Sequence, residues 1–441
     1  MFGGRVAQDV VRKQASVAQE NANLIRIPGM DSTSRPLSAV SQASAWSALA
    51  LGAGAFSLSK VQAFPPKLAL FLICSGIAIP FVGAELPRIV EAARKDWQPN
   101  VARVAVKAVG LAALLAGLCA AYIVFRGFAE TFVLPLLPDG PWWYAGLCVL
   151  ALVYLFVADA LLPEKQDELW EIGSGTLKGF PAPLSDAARQ YVLGWVLKGF
   201  FAPLMVTFAL SNLKNLLPLD LAATFRDQAA GFSLIFDGLY FIDVGFASIG
   251  YLATLKLLNT HIKTIQTTLL GWVICLVCYP PFWPAVWQNF LNYDDGLEWG
   301  AWLWETPVLW YAWGAAVLFC VAVYAWATLS FGIRFSNLTN RGIITNGPYR
   351  FVKHPAYIAK CVSFWLIAIP FIPHGSPAAA IGNCVALALG NLIYVVRART
   401  EEAQLMQDAD YRAYSAWIDQ HGLVARLARR FPRLARARGA A

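Results

Sequence analysis

Apolar runs of about twenty residues recur along this chain, separated by shorter segments where Lys, Arg, Asp and Glu collect. Twenty helical residues rise about 30 Å, the thickness of a bilayer's hydrocarbon core. The pattern predicts ten membrane spans, at residues 43–63, 66–84, 104–126, 142–162, 190–211, 231–253, 266–287, 306–330, 355–373 and 377–397. None of the runs alternates polar and apolar positions, so helices rather than barrel strands are expected. The seventh run contains Pro280, Pro281 and Pro284 and is expected to be kinked or partly re-entrant. The fold class read here is all-α, a polytopic integral membrane protein of about ten transmembrane helices.

Charge gives these spans a direction. With the N-terminus inside, 28 of the 35 Lys and Arg fall in segments on one side, and only Lys60, Lys67, Arg126, Lys214 and Arg226 on the other. The last two, Lys198 and Lys360, lie within spans. Cytoplasmic segments are enriched in Lys and Arg, so both termini are expected in the cytoplasm, in a bacterial inner membrane, with the acidic "NYDDGLEW" loop outside. No apolar core of signal-peptide length precedes Trp46, and no cleaved signal is expected.

Composition agrees. The chain is 58% hydrophobic and 14% charged, where soluble domains average about 25% charged. The net charge of +8 follows the topology and forms no basic groove, so no nucleic-acid partner is expected. The arginine-rich end, "ARLARRFPRLARAR", reads as an interfacial helix drawn to anionic lipid headgroups. All eight cysteines, Cys275 and Cys278 included, lie in apolar runs and read as small buried hydrophobes. No metal site is expected, and the oligomeric state is not legible.

One segment departs from the apolar pattern. "NGPYRFVKHPAYIAK", Asn346 to Lys360, crowds cations, tyrosines, a histidine and two prolines ahead of the ninth span. Pro355 suits a first helical position. If the ninth and tenth spans form a hairpin of near-equal arms around "PHGSP", His354 returns to the level of "RARTEEAQL". Arg350, Lys353, His354, Tyr349 and Tyr357 would then meet Arg397, Arg399, Glu401 and Glu402 at one mouth. Carboxylates suit a cationic group, and cations with helix-start amides suit an anionic one. The competing reading is ordinary interfacial anchoring, with Arg397 and Glu401 a surface i,i+4 pair.

The two motifs together resemble the isoprenylcysteine carboxyl methyltransferase and phospholipid methyltransferase superfamily. That family has a G-x-Y-x-x-x-R-H-P-x-Y-x-G element, a hydrophobic hairpin, then R-x-R-x-E-E and Y-x-x-Y. The matching positions are Gly347, Tyr349, His354, Pro355 and Tyr357, then Arg397, Arg399, Glu401, Glu402, Tyr411 and Tyr414. Lys353 stands where arginine is usual and Ala359 where glycine is usual. The resemblance covers residues 306–420 and implies methyl transfer from S-adenosylmethionine to a membrane lipid or a prenylated or other amphiphilic acceptor. It implies a cofactor site at Gly347, Tyr349, His354, Pro355, Tyr357 and Glu401, and catalytic roles for Arg397, Arg399 and Glu402. The site would face the cytoplasm.

Two other classes compete. Membrane sterol reductases share this architecture and use NADPH, but Lys360 stands where they carry aspartate. A transporter would explain Asp237, Asp243 and Lys198 inside spans, which otherwise read as a buried pair, Lys198 with Asp243 or Asp237, or as cavity-lining groups. His261, His374 and His421 read as solvated. The expected organisation is a tail (1–42), a membrane body of about seven helices (43–300), a methyltransferase-like core (301–420) and a basic interfacial tail (421–441).

Overall fold

The computed structural model describes residues 34–180, 183–293, 296–372 and 375–431. The first 33 residues, Asp294 and Asp295 of the acidic loop, His374 and the end of the arginine-rich tail lie outside them. The principal helices are α1 (Gln42–Val61), α2 (Pro66–Asp96), α3 (Val101–Val124), α4 (Pro141–Leu161), α5 (Glu168–Lys178), α6 (Asp186–Leu216) and α7 (Gln228–Leu252). They continue as α8 (Leu269–Leu276), α9 (Pro307–Phe331), α10 (Pro355–Ala368), α11 (Pro377–Leu405), α12 (Ala409–His421) and α13 (Leu423–Arg430). Seven of these, α2, α3, α4, α6, α7, α9 and α11, are long and apolar enough to cross a membrane. The protein is an all-α integral membrane protein.

Local chemistry sets the helix starts. Proline occupies the first turn of α2, α4, α9, α10 and α11, where a missing N–H costs nothing. Side-chain oxygens of Asn100, Asp167, Ser185 and Asp227 accept from free amides at four other starts, and Ser376 does so at α11 as well.

Three predicted spans take another form. The first becomes α1, 20 residues whose alanines, glycines and serines leave it less apolar than the seven. The seventh is not a continuous helix. α8 stops at Leu276, since Pro280 and Pro281 cannot donate to an extended helix, and the segment closes with a wide turn at Pro284–Gln288. This segment folds back beside α11. Trp287 Nε1 donates to Val277 O at 3.1 Å, and its ring fills the space where a side chain on Gly390 would stand.

The ninth span is also shorter than predicted. α10 ends at Ala368, with Ile369 in a left-handed conformation (φ 37°) just before Pro370. α11 runs on to Leu405, so the hairpin arms are 14 and 29 residues rather than near-equal. The residue before a proline disfavours helical geometry, which stops α10 early.

All eight cysteines are free thiols, but Cys119 and Cys148 are exposed on the bundle's outer surface rather than buried. Their helices turn apolar faces outward, as lipid-facing helices do.

Charged groups stitch the first helices together. Asp159 receives Arg103 at 2.7 Å and Lys107 at 3.3 Å, and Lys107 also reaches Asp167 at 3.3 Å. Lys256, in the loop after α7, pairs with Glu168 at 2.5 Å. Beyond that loop β1 (Thr264–Ile265) pairs antiparallel with β2 (Thr339–Asn340), Thr264 opposite Asn340. His261, in the same loop, is half-buried rather than solvated, and burial beside Lys256 lowers its pKa. His421 lies against Trp417, its Nδ1 3.0 Å from the Trp417 carbonyl.

The connection from α9 to α10 is held by Arg341, which is buried. Its guanidinium donates to the carbonyls of Thr260 (2.6 Å), Gly250 (2.7 Å), Phe335 (2.8 Å) and Ile333 (2.8 Å). Burial and nearby Arg334 bring its pKa down to about 9, still charged at neutral pH. From the other side, Ala39 N–H donates to Ile343 O (2.9 Å) and Asn346 Nδ2 to Val40 O (2.6 Å). Replacing Arg341 by alanine strips one partner from each of four carbonyls and should cost roughly 3 kcal/mol or more. The expected result is a clearly lower melting temperature in detergent for Arg341→Ala, only partly restored in Arg341→Lys, whose point charge lacks the planar fork. An unchanged melting temperature in the alanine variant would contradict this role.

Candidate functional site

The site begins with a glycine. Gly347 has φ 56°, and a Cβ there would run into the Ser330 side chain, so only glycine turns the chain this tightly. The turn at Gly347–Arg350 buries Tyr349 edge-on against Phe331, with ring centres 5.2 Å apart. Burial, and Glu401 nearby, push the Tyr349 phenol pKa far up, so it stays neutral. The backbone that follows is clamped from outside. Tyr414 OH donates to Tyr349 O at 2.7 Å, Leu423 N–H to Phe351 O at 2.7 Å, and Lys353 pairs with Asp419 at 2.8 Å.

This clamp delivers His354 and Pro355 to the start of α10. The His354 and Tyr357 rings are nearly parallel (3°), centres 5.4 Å apart. Two contacts then join α10 to α11. His354 Nε2 lies 2.9 Å from Glu402 Oε1, and Tyr357 OH donates to Glu401 Oε2 at 2.7 Å. One turn deeper, Arg397 donates to Asn337 Oδ1 at 2.6 Å, with the rings of Tyr357 and Tyr279 at 5.1 and 5.7 Å. Asn337 is fixed in turn: its amide donates to Tyr279 OH at 3.1 Å, and its backbone N–H to Tyr251 OH at 2.8 Å.

These groups surround a cavity with about 910 Å³ of empty space, counting its open mouth. Of the residues singled out in the sequence, Tyr349, His354, Tyr357, Arg397 and Glu401 line it. Glu402 is joined to it through His354, while Gly347 and Pro355 shape the backbone that carries it. Arg350 and Arg399 are exposed and outside the lining, Lys353 turns to Asp419, and Tyr411 and Tyr414 are buried in the support behind.

Several lining residues escaped the sequence reading: Tyr279, Asn337, Tyr394, Tyr324, Thr328 and Lys360. Only Lys360 carried a signal, a cation inside an apolar run. Tyr279 arrives because the seventh segment folds back, and Asn337 because Arg341 fixes its loop. The expected pairing of Lys198 with Asp243 or Asp237 does not form. Lys198 Nζ lies 3.8 Å over the Trp195 ring, and Asp243 accepts from Tyr324 OH (2.8 Å) and Thr328 OH. Hydroxyl donors offset the burial of this carboxylate in place of a cation. Among the described residues, no group of three or more His, Cys, Asp or Glu could hold a metal ion.

Residues 309–407 match the sequence model of the Isoprenylcysteine carboxyl methyltransferase (ICMT) family. The matched stretch runs from the first turn of α9 to just past α11 and contains both contacts that join α10 to α11. It bears out the resemblance read from the two motifs. No curated protein and no solved structure matches the chain.

The convergence of the motifs can be checked without activity. In a background lacking the eight native cysteines, His354→Cys with Glu402→Cys should be joined efficiently by a short bifunctional thiol reagent. The control pair His354→Cys with Leu389→Cys should react poorly, since Leu389 is exposed and lies about 20 Å back along α11 from Glu402. Comparable yields for both pairs would contradict the arrangement.

Proposed function

We propose that the protein transfers a methyl group from S-adenosylmethionine to an amphiphilic acceptor held in the membrane, a lipid or a prenylated compound. The observation that carries this reading is the junction of α10 and α11, where His354 meets Glu402 and Tyr357 meets Glu401 at one cavity mouth. The match to the ICMT family over 309–407 supports the same class.

The residues present suit that cofactor. Its cationic parts call for carboxylates and aromatic faces, and the mouth offers Glu401, Glu402 and the stacked His354 and Tyr357 rings. Its carboxylate calls for donors, and Arg397 lines the same cavity. When bound it would supply a methyl carbon to an acceptor lone pair, the carbon–sulfur bonding pair leaving with sulfur. The protein's part is then to position and to exclude water. Tyr357 fixes the Glu401 carboxylate, Glu402 fixes the His354 ring, and the aromatic walls keep the interior dry. Arg399, exposed away from the lining, is given no direct role.

The membrane setting follows the charge pattern. In this reading the chain enters the membrane about ten times, both ends and the cavity mouth lie on the cytoplasmic side of a bacterial inner membrane, and the acceptor arrives from the bilayer. Residues 301–420 form the methyltransferase-like core and 43–300 an added membrane body. α13 exposes Leu423, Val424 and Leu427, with Phe431 just past its end, beside Arg426, Arg429 and Arg430, a composition suited to an anionic lipid surface.

Calorimetric titration of the purified protein with S-adenosylmethionine should show saturable binding. His354→Ala and Tyr357→Phe should each weaken it about tenfold, the worth of one or two buried hydrogen bonds, while NADPH should not bind. Binding of NADPH and not S-adenosylmethionine would replace this reading with a reductase. Methylation confined to water-soluble compounds would refute the amphiphilic acceptor.

A further inference from the structure

The cavity has two levels. The outer one holds His354, Tyr357 and Glu401. Lys360 is five residues beyond Pro355 on α10, and Tyr394 is seven residues before Glu401 on the antiparallel α11, so both lie roughly 7–10 Å deeper along the helices. Both line the same cavity.

Lys360 brings a cation into an apolar helix with aromatic faces around it and no carboxylate paired to it. Its ammonium stands 5.4 Å from the ring centre of Tyr324, 5.7 Å from Tyr394 and 5.9 Å from Phe364. Among the described residues the ammonium makes no hydrogen bond and no ion pair, while the Lys360 carbonyl accepts from Ser363 OH at 2.8 Å. The one buried carboxylate in the neighbourhood, Asp243, is already engaged by Tyr324 and Thr328. Tyr394 repeats the pattern independently: it is 2% exposed, and its hydroxyl has no partner. An ammonium brings three donors and a phenol one. Donors left without hydrogen-bond acceptors at such depth are costly, and here the two residues that carry them line one cavity.

The other cations of the region are differently placed. Arg397 is tied to Asn337 and flanked by two rings, and Arg399 is exposed outside the lining. We propose that Lys360 and Tyr394 form the acceptor subsite, gripping the anionic group, a carboxylate or a phosphate monoester, of an amphiphile whose tail lies in the membrane. Lys360 is then the residue that sets acceptor specificity, in place of the arginines of the R-x-R motif. This rests on the methyl-transfer reading for its biological meaning, but not for its test. A freely soluble anion would have to shed its hydration to reach an aromatic-walled level, whereas an amphiphile brings its charge there from the bilayer.

The test is equilibrium binding to the full-length protein in detergent, with radiolabelled palmitate as probe. Hexadecyl phosphate, hexadecanol, acetate and inorganic phosphate serve as competitors. Palmitate should bind saturably. Hexadecyl phosphate or unlabelled palmitate should displace it, and hexadecanol and the two soluble anions should not; which long-chain acid competes better distinguishes the carboxylate from the phosphate source. Lys360→Met should weaken palmitate binding about tenfold or more, Tyr394→Phe severalfold, and Lys360→Arg should restore most of it. S-adenosylmethionine affinity should stay within about twofold of wild type in all three variants, which also reports that they fold. Equal competition by hexadecanol, full competition by inorganic phosphate, or undiminished palmitate binding in Lys360→Met would overturn the subsite. Palmitate binding that depends on Lys360 in a protein that does not bind S-adenosylmethionine would leave the subsite standing and remove the methyl-transfer reading.

Discussion

The arrangement depends on a buried guanidinium with carbonyl partners. Arg341 gathers oxygens from the end of α7, from the loop after it and from its own loop. A lysine could not span those directions, and a neutral side chain would leave several carbonyls short of donors in a dry interior. Because these bonds fix the residues on either side of Arg341, they set where Asn337 stands and where the chain enters the turn at Gly347. Asn337 places Arg397, and the turn places Tyr349 and His354. The position of the site is inherited from a residue outside the cavity lining.

From that anchor the mouth is closed by three layers. α12 and α13 hold the backbone of residues 349–353 from outside, through Tyr414, Asp419 and Leu423. α10 presents His354 and Tyr357, and α11 answers with Glu402 and Glu401. The folded-back segment after α8 supplies the last wall with Tyr279. A straight seventh helix would have carried that tyrosine through the membrane without turning it inward. Two prolines therefore contribute to the cavity without touching it.

The distribution of ionisable groups separates structure from recognition. Asp159 and Asp243 are buried but satisfied, the first by Arg103 and Lys107, the second by hydroxyls. Such groups hold helices in register. The Lys360 ammonium and the Tyr394 hydroxyl have no such partners, and both residues line the cavity.

Much of this was legible along the chain. Apolar run length alone determined an all-α membrane protein, because a bilayer admits few other solutions. Two short motifs at a family's separation pointed to Tyr349, His354 and Tyr357 meeting Arg397, Glu401 and Glu402, and they do meet, although the hairpin arms are 14 and 29 residues and not near-equal. Tertiary structure decided the rest. It shortened α10, folded the seventh segment back, and chose Arg397 over Arg399 for the cavity, because which face of a helix turns inward depends on neighbours distant in sequence. It also gave Lys360 its meaning. A lysine in an apolar run reads as a burial problem, and only the positions of Asp243, Tyr324 and Tyr394 show that its ammonium is ringed by aromatic faces with no carboxylate paired to it.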